Sequence, residues 1–361
     1  MARTVHRSEI KRTPFSFVLL VIVLLSLLAL FILPLTAWAE TPNLSSPENG
    51  PDAARAGAVW PDRLFPASYF TDTVSLAWAR EASRPYWVPT EAEHSARTAL
   101  YSGSLSMLLN NDILAFYGHP LSKNMGILGR FSPEELDGKL GELAEEYAEA
   151  SGGRGIRRAF YIIYGTVWPG GDIGILGEDV LLSYIEYAQR RGILVFLDHQ
   201  IGKYHPVDSL KRMLPYLKYP NVHLALDPEW RTTKPMQEIG TVTAEELNEA
   251  QRVMEEYIVE NRLPGERLLV IHQFNRRMIS NRSQVQSGFA RVRLVHCADG
   301  FGPPNLKKSS YADNALASNI PVKGFKLFYN FGIPGAGYDD PLLTPKEVYT
   351  LTPRPYIIMY Q

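Results

Sequence analysis

Cys297 is the only cysteine among 361 residues. No intrachain disulfide can form, so the chain must hold itself together by burying a core. It also lacks an excess of either charge. With 37 Lys and Arg against 38 Asp and Glu, the formal net charge is −1, which makes no electrostatic case for a nucleic-acid partner. No G-x-G-x-x-G follows the first apolar run of the main domain, so no dinucleotide cofactor is expected. Neither H-x-H nor H-E-x-x-H occurs, so no metal motif is present.

The chain start has the order of an export signal. Arg3, Arg7, Lys11 and Arg12 precede an uncharged apolar stretch from Phe15 to Leu33, and Ala37-Trp38-Ala39 follows as a small-residue cleavage pattern. The apolar stretch is nearly long enough to span a bilayer, at about 20 residues, so an uncleaved anchor is the alternative to cleavage. Either way the N-terminal charges place the domain outside, secreted or tethered. Any membrane contact is expected through this segment alone. No cysteine lies near the cleavage pattern, which closes the lipid-anchored route. Residues 1–39 therefore read as leader or anchor and 40–58 as a flexible Pro-, Asn- and Ser-rich linker. Residues 59–110 read as an amphipathic extension, and 111–361 as the main domain.

That domain carries eight apolar, β-rich runs: 113–118, 159–167, 192–198, 222–227, 268–274, 292–297, 322–329 and 356–360. Several gaps between them open with helix start signals. Ser132-Pro133-Glu134-Glu135, Thr243-Ala244-Glu245-Glu246 and Thr344-Pro345-Lys346-Glu347 each supply an N-cap and early acids. Alternating strands and helices imply a parallel sheet, and eight units imply a closed (β/α)8 barrel, with a doubly wound open sheet as runner-up. No helix follows the eighth strand within the sequence, so the segment 59–110 is expected to cover the barrel where a last helix would lie.

Catalytic groups of such barrels sit at the C-terminal ends of strands, and here polar residues collect there. The first run ends at Tyr117 and His119, the third at Asp198, His199 and Gln200, the fourth at Asp227 and Glu229. The fifth ends at His272 and Gln273, the sixth at His296 and Asp299, the seventh at Lys326 and Tyr329, the eighth at Tyr360. In the fourth, HLALDPEW (223–230), the period-two rule turns Leu224 and Leu226 outward and His223, Ala225 and Asp227 inward. If the strand runs past Pro228, Glu229 joins them, about 6–7 Å from Asp227 along the strand. Neighbouring carboxylates push each other's proton affinities apart, so one can hold a proton while the other stays ionised. Cleavage of a glycosidic bond needs such a pair. The structural alternative is a loop in which Asp227 accepts backbone N–H groups and Glu229 pairs with Arg231. Trp230 could stack on a sugar ring or cap the barrel.

The D-x-E of this strand resembles the end of the acidic signature in chitinase-like glycoside hydrolases and the paired acids of barrel lysozymes. Carried over, the resemblance makes Glu229 the proton donor and Asp227 its assistant. The upstream acids of that signature are replaced by HLAL. Over residues 112–361 the pieces FYGHP, LDPEW, IHQF and the terminal MYQ are similar to a group of exported bacterial barrel proteins.

The leading expectation is an exported glycoside hydrolase acting on a cell-wall or extracellular polysaccharide. Glu229 and Asp227 carry the chemistry, with Asp198 as alternative nucleophile or base. Carbohydrate would be held by Tyr117, His119, Gln200, Trp230, His272, Gln273, His296, Asp299, Lys326, Tyr329 and Tyr360. Two alternatives remain open. One is a metal-dependent hydrolase drawing on His119, His199, His272 and His296 with Asp198, Asp227 and Asp299, although His199 has opposite strand parity to Asp198. The other is a non-catalytic barrel that binds glycan or a partner protein. The glycine-rich stretch NFGIPGAGYDD (330–340) could form a mobile lid.

Overall fold

The computed structural model describes residues 107–361, so the segments expected as leader, linker and nearly all of the N-terminal extension lie outside the described residues. Eight parallel strands close into a barrel: β1 Asn111–Gly118, β2 Gly155–Val167, β3 Leu194–His199, β4 Val222–Leu226, β5 Arg267–His272, β6 Val292–Ala298, β7 Lys323–Leu327 and β8 Ile357–Tyr360. Pairing of β1 with both β8 and β2 closes the ring. All eight apolar runs of the sequence are strands, and the barrel is the expected one. No helix among the described residues is long and apolar enough to cross a membrane.

The helices are α1 Pro133–Ala150, α2 Glu178–Arg190, α3 Pro206–Met213, α4 Ala244–Glu260, α5 Pro304–Ala315 and the single turn α6 Pro345–Val348. α1, α4 and α6 begin where the sequence signals a start. Ser132, Thr243 and Thr344 each accept the backbone N–H three residues on, and Glu135, Glu246 and Glu347 each return a hydrogen bond to the cap. Between β5 and β6 the described chain forms two short 3-10 turns, Arg276–Met278 and Arg282–Gln284, and a two-residue strand, Ile279–Ser280, where a regular barrel has a helix.

Side chains alternate across the barrel wall. On β4, Leu224 and Leu226 pack into the outer layer against helices, while Ala225 belongs to the interior cluster. On β3, Leu194 and Phe196 point inward and Val195 and Leu197 outward. Each large aliphatic in the outer layer contributes roughly 1.5–3 kcal/mol on burial, and this layer offsets the cost of the polar interior described below. Gly165, at a bulge in β2, allows a close approach: a Cβ there would sit 2.7 Å from the His199 ring.

The last strand is covered within the described chain. Tyr360 turns outward, and its hydroxyl bonds that of Tyr147 on α1 at 2.8 Å. The Tyr147 ring also meets Tyr349, directly after α6, edge-on at 5.5 Å. At the opposite end, Leu108 joins the interior cluster and plugs the bottom of the barrel. Asp112 there binds both Arg154 and Arg354.

Candidate active site

Inward-facing residues at the C-terminal ends of the strands form one polar constellation. Tyr117 at the end of β1 donates its hydroxyl to Asp198 Oδ2 of β3 at 2.9 Å. His272 of β5 lies between acids, with Nε2 3.6 Å from Asp198 Oδ2 and Nδ1 3.2 Å from Asp299 Oδ2. Tyr161 of β2 meets His272 Nε2 at 2.8 Å. Lys326 of β7 sits over the Tyr117 ring, 3.6 Å from its centre. Asp227 follows β4, with its backbone N–H bonded to the carbonyl of His199.

Glu229 is not on the strand. β4 ends at Leu226, and Glu229 rides a 3-10 turn, Pro228–Trp230, so the strand spacing expected between the two acids does not apply. Pro228 has no N–H for the ladder, and the chain turns there. Glu229 is half-buried whereas Asp198, Asp227 and Asp299 are buried. Arg231, its expected ion-pair partner in a purely structural loop, binds Glu246 at 2.6 Å instead. Trp230 is half-buried on the same turn.

Burial and mutual repulsion separate the proton affinities of these acids. Glu229 is pushed well above the usual carboxylate value, first by desolvation and then by the charges of Asp227 and Asp299. Asp227 is pushed up to about 7, again chiefly by burial, against the pull of His272. Asp198 is raised by burial, with His272, Lys326 and the Tyr117 hydroxyl opposing. Asp299 goes the other way. Burial would raise it, but the hydrogen bond and charge of His272 hold it below the usual range. His272 in turn is raised, because Asp198 and Asp299 outweigh its desolvation. The mouth thus holds proton-retaining acids beside an ionised Asp–His pair. One oxygen each of Asp198, Asp227 and Asp299 has no hydrogen-bond partner among the described residues.

Several expected site residues do not join this constellation. Gln273 and His296 have outward parity and bind each other behind the barrel wall, His296 Nε2 to Gln273 Oε1 at 2.7 Å. Tyr360 faces α1, and Tyr329 packs on it in the outer layer at 5.2 Å between ring centres. Gln200 uses its side-chain oxygen to accept the N–H of Val167. His119 Nδ1 accepts the N–H of Leu121 in the loop after β1. His199 lies outside the wall beside Tyr164, desolvation holding its proton affinity down at about 3. The ligand set of the metal reading is therefore split between the mouth, a loop and the outer wall. Among the described residues no group of three or more His, Cys, Asp or Glu is arranged to hold a metal ion.

Tyr161 was missed by sequence reasoning. Its signal lay in the parity of AFYIIYGTV, which puts Tyr161 and Ile163 on the inner face. The stretch 330–340 is irregular, and Asp339 near its end is anchored by the N–H groups of Phe328 and Gly302 and by Lys307.

No family model matches the chain, and no curated protein does. Solved structures similar to it are glycoside hydrolase barrels. A chitinase from Ipomoea carnea is 13% identical, with 68% of this chain and 93% of that one covered and a TM-score of 0.37. The chitinase ChiB from the chitin utilization locus of Flavobacterium johnsoniae is 10% identical, covering 70% and 87%, with a TM-score of 0.39. A β-glucanase from Saccharophagus degradans is 14% identical, covering 68% and 77%, also at 0.39. Superpositions this loose assign no activity.

Proposed function

We propose that the barrel mouth hydrolyses glycosidic bonds in a cell-wall or extracellular polysaccharide, with the domain exported behind the N-terminal apolar segment. The observation that carries this reading is the half-buried, proton-retaining carboxyl of Glu229 beside the buried Asp227. It stands at the end of the barrel where catalytic groups gather.

In this reading Glu229 gives its proton to the glycosidic oxygen as the C1–O bond breaks. Positive charge then develops on the sugar ring, and the carboxyls of Asp227 and Asp299 face it. Asp198 takes a proton from the water that attacks C1, and Tyr117 fixes its orientation. The charged His272–Asp299 pair supplies the fixed field in a buried site. Tyr161 holds His272 from the other side, and Lys326 supplies a hydrogen-bond donor for a hydroxyl. Trp230 offers a ring beside the acid. The leader supports export, and the carbohydrate class rests on the acid pair itself.

The test compares the full chain with Glu229→Gln for release of reducing sugar from peptidoglycan, chitin oligomers and common α- and β-glucans, with and without chelator. Release that vanishes in the folded variant supports the reading. Release that survives Glu229→Gln but disappears with chelator would transfer the chemistry to a metal. Binding of glycan without turnover would leave a binding module.

A further inference from the structure

Residues 267–298 contain six arginines and no Asp or Glu. In a chain whose acids and bases are otherwise balanced, this run separates charge on purpose or by chance, and the fold shows where it goes. Arg267, Arg291 and Arg293 are spent near the bottom of the barrel. Arg267 and Arg291 donate to backbone carbonyls, and Arg293 pairs with Glu266. The other three, Arg276, Arg277 and Arg282, lie in the segment that replaces the missing helix between β5 and β6. All three line one groove of about 610 Å³ there.

None of the residues lining the groove belongs to the polar constellation at the mouth. One side is the segment itself with Thr241, and α4 braces that segment through Asn248 and Gln251, which hold the carbonyls of Gln284 and Gln286. The other is the chain following α5, where Asn319 holds the carbonyls of Arg282 and Val285. A short parallel ladder, Val242–Thr243 with Ile279–Ser280, ties the top of the segment. These bonds fix the walls, so the cavity does not depend on a ligand to form.

Among the described residues its charge is only partly compensated. Arg282 is buried and committed to Gln273 and Asp313. Arg276 is 4.0 Å from Asp313 at best, and its side chain is 74% exposed. Arg277 is exposed and enters no ion pair among the described residues. Among the described residues, three guanidinium groups therefore share a single carboxylate, Asp313. A guanidinium fork matches carboxylate and phosphate oxygens in two parallel bonds, and the hydroxyls of Ser280 and Ser283 at the same groove can add hydrogen bonds.

We propose that this groove is a binding site for an oxyanion-bearing ligand, separate from the barrel mouth, with Arg276 and Arg277 as the grasping residues and Arg282 as its fixed floor. The carboxylates of an acidic sugar chain and a phosphate group share the required chemistry. The site is independent of what the mouth does, so its failure and the failure of the glycosidase reading are separate results.

The test is calorimetric titration of the full chain with trigalacturonate and with inorganic pyrophosphate, at low and at 0.5 M salt. The variants are Arg276→Ala/Arg277→Ala and the charge-keeping Arg276→Lys/Arg277→Lys. Both side chains are exposed, so both variants are expected to fold, which circular dichroism checks. Saturable binding of either probe should weaken about tenfold or more in the alanine pair, as expected for lost charge-assisted bonds, less in the lysine pair, and should weaken with salt. Binding of trigalacturonate alone assigns an acidic glycan, and of pyrophosphate alone a phosphate. No saturable binding by the native chain, or binding unchanged in the alanine pair, overturns the proposal.

Discussion

Two buried polar clusters share strands β5, β6 and β7 and differ only in which face they occupy. Inside the wall are His272, Asp299 and Lys326. Outside it, one residue away on β5, are Gln273 with His296, Lys323 and Asn314. The outer cluster is saturated. Gln273 accepts from Arg282 and His296 and donates to two carbonyls. Lys323 reaches His296 and the carbonyls of Asn314 and Ala317. The inner cluster leaves carboxylate oxygens without partners and holds acids at displaced proton affinities. Evenly buried polar residues thus split into a set that satisfies itself and a set that does not. A fold keeps the second kind at a cost, and function is the usual reason.

The contrast breaks first at Glu229. Glu229→Gln should lower turnover by roughly 10²–10⁴-fold, the range for a lost general acid, with little change in thermal midpoint. The native pH–rate profile should be bell-shaped. Its acidic limb reports ionisation of Asp198, above the usual aspartate value, and its basic limb the loss of the Glu229 proton, well above the usual glutamate value. A profile still rising far above neutrality would remove Glu229 as the acid.

His296→Ala should do the opposite. It strands Lys323 and Gln273 behind the wall and should cost about 2–4 kcal/mol by denaturant unfolding, while the folded fraction keeps its specific activity. Loss of activity without loss of stability would show the outer cluster to be more than scaffold.

Asp227→Asn sharpens the comparison through pH. A folded-state value near 7 against an ordinary 3.8 means the native state binds the extra proton, so Asp227 erodes stability as pH rises between the two. The variant should therefore match the native chain near pH 4. It should gain about 2 kcal/mol above pH 7, the shift being discounted for relaxation and water entry, and lose activity throughout. Equal pH dependence of unfolding for the two proteins would refute the assignment.

Tyr360→Phe is the mildest change. It removes one buried hydroxyl pair with Tyr147, at about 1 kcal/mol, and should leave turnover unaltered. A raised KM would return Tyr360 to the substrate.

The barrel was legible because each strand buries both faces and three of the six helices carry a capping box: eight apolar runs, three caps and nothing stapled. Legible also was the rim, down to Asp198, Asp227, His272, Asp299 and Lys326. Misread were residues one step along from an inner residue. Tyr360, Gln273 and His296 each stand one step from an inner residue, Met359, His272 and Cys297, and strand register with the fit against α1 and α5 decides which face they take. Local sequence determines that a strand ends in polar residues, since desolvation forbids leaving them deep in an apolar wall. Tertiary structure alone decides which of them meet. Proton affinities and orphaned oxygens arise from distances between strands far apart in the chain, and such distances have no local code.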